Sequence, residues 1–148
     1  MMVCDRRQMG QALTNVVKNA VEAIAQRSEK DGAGPPVGDV AMALSVEAGK
    51  LLLTVADDGV GLPPDRERLT EPYVTMRSRG TGLGLAIVKN IVEQHCGSLT
   101  FADRPGGGSI VQLCFDLAAL EKLAVADNDD WQDAENKGHS ELARMRDG

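Results

Sequence analysis

The sequence predicts a two-layer α/β sandwich, with helices on one face of a mixed sheet. Three observations carry that expectation. The hydrophobic period runs helix, strand, strand, long loop, helix, strand, strand along the chain. Clusters rich in Gly, Pro and Asp separate these segments. The length, 148 residues, suits a single core.

Residues 5 to about 27 read as the first helix, with Asp5 as its cap. At 100° per residue, Met9, Leu13, Val16, Val17, Ala20, Val21 and Ile24 share one face. Gln8, Gln11, Asn15, Asn19, Glu22 and Gln26 share the opposite one. Residues 28–38 are a loop by composition. DVAMALSVE (39–47) alternates as a strand, AGK turns, and LLLTVA (51–56) is a second, more buried strand. Residues 62–80 read as a long loop with one short turn near Arg66 to Leu69; loops of that length are often functional. A second helix spans 82–96, with Leu83, Ile87 and Ile91 on one stripe and Val88, Val92 and Cys96 beside it. Gly97 is expected to end it in the left-handed conformation. Residues 98–103 and 109–116 form two more strands joined by a turn around PGGG. Beyond about Glu121, acids outnumber bases and apolar periodicity fades. The division expected is a folded unit over 1–117 and a mobile acidic tail over 118–148, with room for one short helix.

Composition narrows the function. Apolar residues make up 43% of the chain and charged ones 26%, as in soluble globular proteins. Aromatics are only 3%, so the core is aliphatic. A net charge of −6 argues against wholesale binding to nucleic acid or anionic lipid; a polyanion would need locally arranged donors. Cys4, Cys96 and Cys114 have no C-x-x-C spacing, and His95 and His139 do not pair, so a zinc site is not expected. Scattered cysteines suit a reducing cytosol. No apolar run approaches the roughly 20 residues of a membrane span.

Four short motifs carry possible chemistry, and each has a plain structural reading beside it. Asn15 and Asn19, four apart with Glu22 nearby, put two carboxamides on one helix face. Amide oxygens are hard ligands suited to Mg²⁺, yet the pair is also what a solvated face looks like. Asp57-Asp58-Gly59-Val60-Gly61 follows a strand: a carboxylate there can accept from a purine amine, and glycines let a flat ring approach. A tight turn explains it equally. Gly80-Thr81-Gly82-Leu83-Gly84-Leu85 opens a helix, where backbone amides and the helix dipole favour phosphate. Its spacing is neither a Rossmann fingerprint nor a P-loop, and a hinge would use the same glycines. Gly106-Gly107-Gly108-Ser109 reads as a hairpin turn.

Taken together and in this order, the motifs resemble the ATP-binding catalytic domain of bacterial sensor histidine kinases, which share the Bergerat fold with gyrase, the Hsp90 chaperones and MutL. Leu13 to Ala23 (LTNVVKNAVEA) resembles the N box, Asp57 to Gly61 the G1 box and Gly80 to Leu85 the G2 box. Glu71-Pro72-Tyr73-Val74-Thr75 resembles the F-box part of the lid, and Gly108-Ser109 the last glycine motif. The resemblance covers residues 3 to about 117, and its wording is most like nitrogen-regulation kinases of the NtrY or NtrB type.

This resemblance implies ATP and Mg²⁺ as cofactors, with Asn19 as the metal ligand and Asn15 lining the phosphate site. Asp57 takes the adenine amine, with Gly59 and Gly61 beside it. Glu22, Thr75, Gly80, Thr81, Gly82, Leu83, Gly84, Leu85 and Ser109 complete the nucleotide site. Arg77 or Arg79 clamps the γ-phosphate. The ATPases of the fold carry a water-activating glutamate four residues before the metal asparagine. Here that position is Asn15, which cannot act as a general base, so transfer rather than hydrolysis is expected. The expected partner is a histidine-bearing dimerisation domain, with a response regulator downstream, in the cytoplasm and without direct membrane contact. His95 reads as a capping or packing histidine; His139, with an acid two residues on, is faintly like an acceptor box, but its acidic, poorly periodic context argues against that role. Relatives carry a helix and one or two strands ahead of Val3, so an uncovered sheet edge and no kinase activity in isolation are expected. Other readings are a nucleotide-binding or interaction module without kinase activity, and an anti-sigma-factor kinase acting on serine.

Overall fold

The computed structural model describes residues 4–32, 34–73 and 83–126. The order is α1 (Arg6–Asp31), β1 (Val40–Glu47), β2 (Lys50–Asp57), a 3₁₀ turn (Glu67–Thr70), α2 (Gly84–Gln94), β3 (Gly97–Asp103) and β4 (Ser109–Asp116). A third helix, α3, covers 117–126. The expected α/β sandwich is present, and the expected helices and strands are there.

Asp5 caps α1, accepting from the backbone N–H groups of Arg7 and Gln8 at 2.9 and 3.0 Å. The helix runs a full turn beyond residue 27 and stops at Gly32, whose φ of 63° suits glycine. Its buried line is Ala12, Val16, Ala20, Ala23, Ile24 and Ser28. That line is rotated from the expected stripe, and Val21 is 54% exposed. Small alanines let α1 press against both α2 and the sheet, so those contacts, rather than side-chain size, set the rotation.

The sheet order is β1-β2-β4-β3. Every pairing among the described strands is antiparallel, where a mixed sheet was expected. Two of the three pairings, β1–β2 and β3–β4, are hairpins, which pair only antiparallel; β2 and β4 also run antiparallel, with α2 and β3 between them in the chain. The β1–β2 turn places Ala48 and Gly49 at φ 49° and 76°, the twist that two-residue hairpins favour. The core lies between the helices and one sheet face, centred on Leu53, Val55, Val111, Leu113 and Phe115 with Val88, Ile91 and Val92 of α2.

Two further expectations are corrected. The left-handed residue after α2 is Cys96, at φ 53°, not Gly97. Gly97 already belongs to β3, opposite Phe115; a Cβ there would lie 2.7 Å from both the Phe115 ring and the Cys114 carbonyl. Glycine is needed for room, not for handedness. The acidic tail expected from residue 118 begins as α3. The Asp116 carboxylate accepts from Ala119 N–H at 3.0 Å, and Leu120 is buried in the core. Leu117, partly buried against the same core, and Leu120 dock that first segment.

The sheet has an open edge at β1. All eight of its residues are exposed, including Val40, Met42, Leu44 and Val46. Their partners are Asp57, Val55, Leu53 and Leu51, so they lie on the helix-bearing face but beyond the helices. Among the described residues, no helix is long and apolar enough to cross a membrane.

Candidate nucleotide site

The site is built where α1, the end of β2 and the start of α2 meet. On α1, Asn15 and Asn19 lie beside the buried line and look towards α2. A Cβ on Gly84 would sit 3.9 Å from the Oδ1 atoms of both Asn15 and Asn19. Two carboxamide oxygens therefore converge on the first turn of α2, where the backbone N–H groups of that turn have no intrahelical acceptor. Leu83, Gly84 and Leu85 are half-buried there, and the Leu83 carbonyl accepts from Ile87 N–H at 2.9 Å. Carboxamide oxygens facing a helix N-terminus are a fitting donor set for a metal-bound polyphosphate. Glu22 lies further along the same face, its carboxylate 4.0 Å from the Lys18 ammonium, an exposed pair of little energetic weight.

Asp57 ends β2 and is 2% exposed. Burying a carboxylate is costly unless it is hydrogen-bonded, and here both oxygens are. Oδ1 accepts from Gly59 N–H at 2.8 Å, and Oδ2 accepts from the Ser109 hydroxyl at 2.6 Å. The β2–β4 register sets Ser109 directly opposite Asp57. Ser109 was expected to touch the nucleotide, and the structure places it beneath the carboxylate that would read the base. Each carboxylate oxygen keeps a second lone pair, so an amine donor can still be accepted.

Glycines make this packing possible. Gly59 lies against α1, where a Cβ would meet the Ala23 backbone at 2.5 Å, and Val60 N–H donates to the Ala23 carbonyl at 3.1 Å. Gly108, at φ 99°, crosses the end of β2 so closely that a Cβ would fall 1.9 Å from the Asp57 carbonyl oxygen. Gly61, at φ 82°, is 3.6 Å from the Gly108 carbonyl by the same measure. The two glycine-bearing turns at 57–61 and 106–109, separate in the sequence, thus form one wall.

Sequence reading missed the other side of this wall. Arg27 on α1 donates to the carbonyl oxygens of Asp58 and, at 2.7 Å, of Val37. Its guanidinium is also 3.0 Å from Asp58 Oδ2. Asp58 Oδ1 accepts from Asp39 N–H at 2.9 Å. The Asp39 amide, then the Arg27 guanidinium, hold the Asp58 carboxyl below the usual carboxylate range. The one available signal was Arg27 itself, a base one turn beyond Ala23 on the helix face that meets the glycines.

His95 behaves as a packing group. Its Nε2 accepts from Asp5 N–H at 3.1 Å and its Nδ1 lies 2.7 Å from the Ile91 carbonyl. It ties the start of α1 to the end of α2, at the opposite end of α2 from Gly84. Thr75, Arg77, Arg79, Gly80, Thr81 and Gly82 lie outside the described residues, as do Val74 and His139. Of the expected lid motif, Glu71, Pro72 and Tyr73 are described, and Tyr73 is exposed with φ 63°.

The site thus holds a buried strand-end carboxylate beside glycines and, at the start of α2, a pair of asparagine carboxamides. Residues 4–119 match the family described as histidine kinase-, DNA gyrase B-, and HSP90-like ATPase. The chain belongs to that family, and its known relatives place it among sensor histidine kinases. It is 40% identical over 123 residues to an NtrY-like sensor histidine kinase of Rickettsia conorii, covering 82% of this chain and 19% of that protein. It is 46% identical over 111 residues to the nitrogen regulation protein NtrY of Azorhizobium caulinodans, covering 74% of this chain and 14% of that one. The mycobacterial sensor histidine kinase MprB superposes with a TM-score of 0.64 at 29% identity, over 77% of this chain and 75% of that one. The chain thus spans about a fifth or less of the length of these curated relatives.

Proposed function

We propose that this chain is the nucleotide-holding part of a nitrogen-regulation type histidine kinase. It would present Mg²⁺-ATP for transfer of the γ-phosphoryl group to a histidine on a separate dimerisation domain. The observation that carries this reading is Asp57. A carboxylate with both oxygens bonded, buried at 2% exposure, and walled by Gly59, Gly61 and Gly108 is built for an edge-on contact with an amine-bearing ring.

Asp57 accepts the adenine amine and orients the base. Asn15 and Asn19 line the phosphate end, with Asn19 as the metal ligand. Mg²⁺, when bound, supplies the positive charge that neutralises the phosphates. The amides of Leu83, Gly84 and Leu85 cap the phosphate chain from the α2 N-terminus. Glu22, Thr75, Gly80, Thr81 and Gly82 complete the cradle, and Arg77 or Arg79 from the lid contacts the γ-phosphate. Asn15 supports transfer over hydrolysis, since a carboxamide cannot remove a proton from water. The rate then depends on positioning and charge neutralisation. The partners proposed are the dimerisation domain and, through it, a response regulator, with the site in the cytoplasm.

Calorimetric titration with a non-hydrolysable ATP analogue, with and without Mg²⁺, tests the reading. Saturable, Mg²⁺-strengthened binding that Asp57→Asn abolishes is expected, because the amide turns a donor towards the purine amine. No binding by the folded chain would overturn it and favour an interaction module.

A further inference from the structure

Asp57 can discriminate a base only if its carboxylate is held still. The residues that follow it, 58 to 66, contain no helix or strand. Ser109 of β4 holds one carboxylate oxygen, but the donor to the other, Gly59 N–H, sits in that loop, so the loop needs its own anchor.

Arg27 is placed to do so. One guanidinium joins three segments: α1, the loop entering β1 through the Val37 carbonyl, and the loop leaving β2 through Asp58. Asp58 in turn binds Asp39 N–H, so both loops are tied to each other as well as to the helix. Space is tight around this knot: a Cβ on Gly38 would lie 2.5 Å from Asp58 Oδ1 and 2.6 Å from Ile24. Two of the contacts sit next to Asp57 in the chain, and Val60 N–H anchors the far end of the same turn on Ala23. The fork of an arginine can serve a carboxylate and two carbonyls at once; a lysine ammonium, a point charge on a flexible stem, cannot hold that geometry.

We propose that Arg27 and Asp58 are a positioning pair for base recognition, fixing the 57–60 turn against α1 so that Asp57 discriminates the 6-substituent of a purine. The proposal rests on the adenine-nucleotide reading above. In this role both act through backbone placement and not by contact with the base; in catalytic positioning a 1 Å misplacement can cost on the order of 10²-fold.

The test compares ADP with inosine diphosphate, which carries an oxo group where ADP carries the amine. The native chain, Arg27→Gln, Arg27→Lys and Asp58→Asn are titrated with both, and folding is checked by thermal melting. The ratio of the two affinities reads the Asp57 contact, whereas a general loss of fold weakens both ligands alike. The expected result is that the preference for ADP falls about tenfold in Arg27→Gln and in Asp58→Asn, a loss of roughly 1.4 kcal/mol of discrimination. Inosine diphosphate affinity should change less than about twofold. Arg27→Lys should recover only a minor part. An unchanged preference, equal weakening of both ligands, or full rescue by lysine would overturn the positioning role while leaving the nucleotide reading intact. Failure of the native chain to bind either nucleotide would instead overturn that reading and this proposal with it.

Discussion

Strands β4 and β1 share a pattern and differ in fate. Both alternate, with Val40, Met42, Leu44 and Val46 of β1 and Val111, Leu113 and Phe115 of β4 turned to the helix-bearing face. Yet Leu113 and Phe115 of β4 are almost wholly buried, while Leu44 and Val46 of β1 are 65% and 61% exposed. The difference is position in the sheet. β4 lies between β2 and β3 with α1 and α2 above it; β1 is the edge, and α1 reaches only its margin. Alternation specifies which face a side chain joins, not whether anything covers that face. Strand β1 also lacks the usual guards of an edge: within it there is no proline, no lysine and no bulge.

The largest test of that contrast is truncation at matched chemistry. Leu113→Ala should cost about 3–4 kcal/mol through lost burial and a cavity, a large part of a stability of roughly 5–15 kcal/mol. Leu44→Ala should cost less than about 0.5 kcal/mol. Urea denaturation of both variants measures the difference, and similar losses would mean that β1 is covered in solution.

A second test moves to the place where β4 begins. Gly108→Ala sets a Cβ against the Asp57 carbonyl at a φ of 99°. It should destabilise by about 2–3 kcal/mol and weaken ADP binding together with it. Alanine at Gly106 meets no atom within 4 Å and should cost only the backbone strain, about 1 kcal/mol.

The Arg27–Asp58 pair adds a pH dependence. Asp58 is held below its ordinary value, so the folded state binds its proton more weakly than the unfolded chain. Its stabilisation is fully present above the unfolded value of about 3.9 and is lost as pH falls through the lower folded value. Acid unfolding followed by circular dichroism should show this contribution in the native chain and a smaller one in Arg27→Gln. The residual would come from the Asp39 amide, which that substitution leaves in place.

The smallest effect on stability should come from Met42→Thr with Leu44→Thr. Each change should alter folding by less than about 0.5 kcal/mol, because neither side chain leaves water on folding to the extent that β4 residues do. Sedimentation at rising concentration should show less self-association in the double variant, since a flat apolar edge is a template for pairing. No change would indicate that β1 is not a sticky edge.

By itself, the sequence determined the elements and the motif positions. Period 3.6 in residues 5–27 and period 2 in 39–56 and 98–116 are local consequences of side-chain direction on helix and strand. Asp57, Asn15 and Asn19 were identifiable because their chemistry is carried by residue type and short spacing. Tertiary packing decided what spacing cannot encode. The rotation of α1 that buries Ala12 and exposes Val21 is set by α2 and the sheet. The antiparallel register decides that Ser109 lies under Asp57, 52 residues away in sequence. Only the approach of α1 to the β2 loop shows that Arg27 and Asp58 are one unit, and only the strand order shows that β1's apolar face stands in water. Contacts between residues far apart in the chain depend on the closure of the whole fold, and no local period records them.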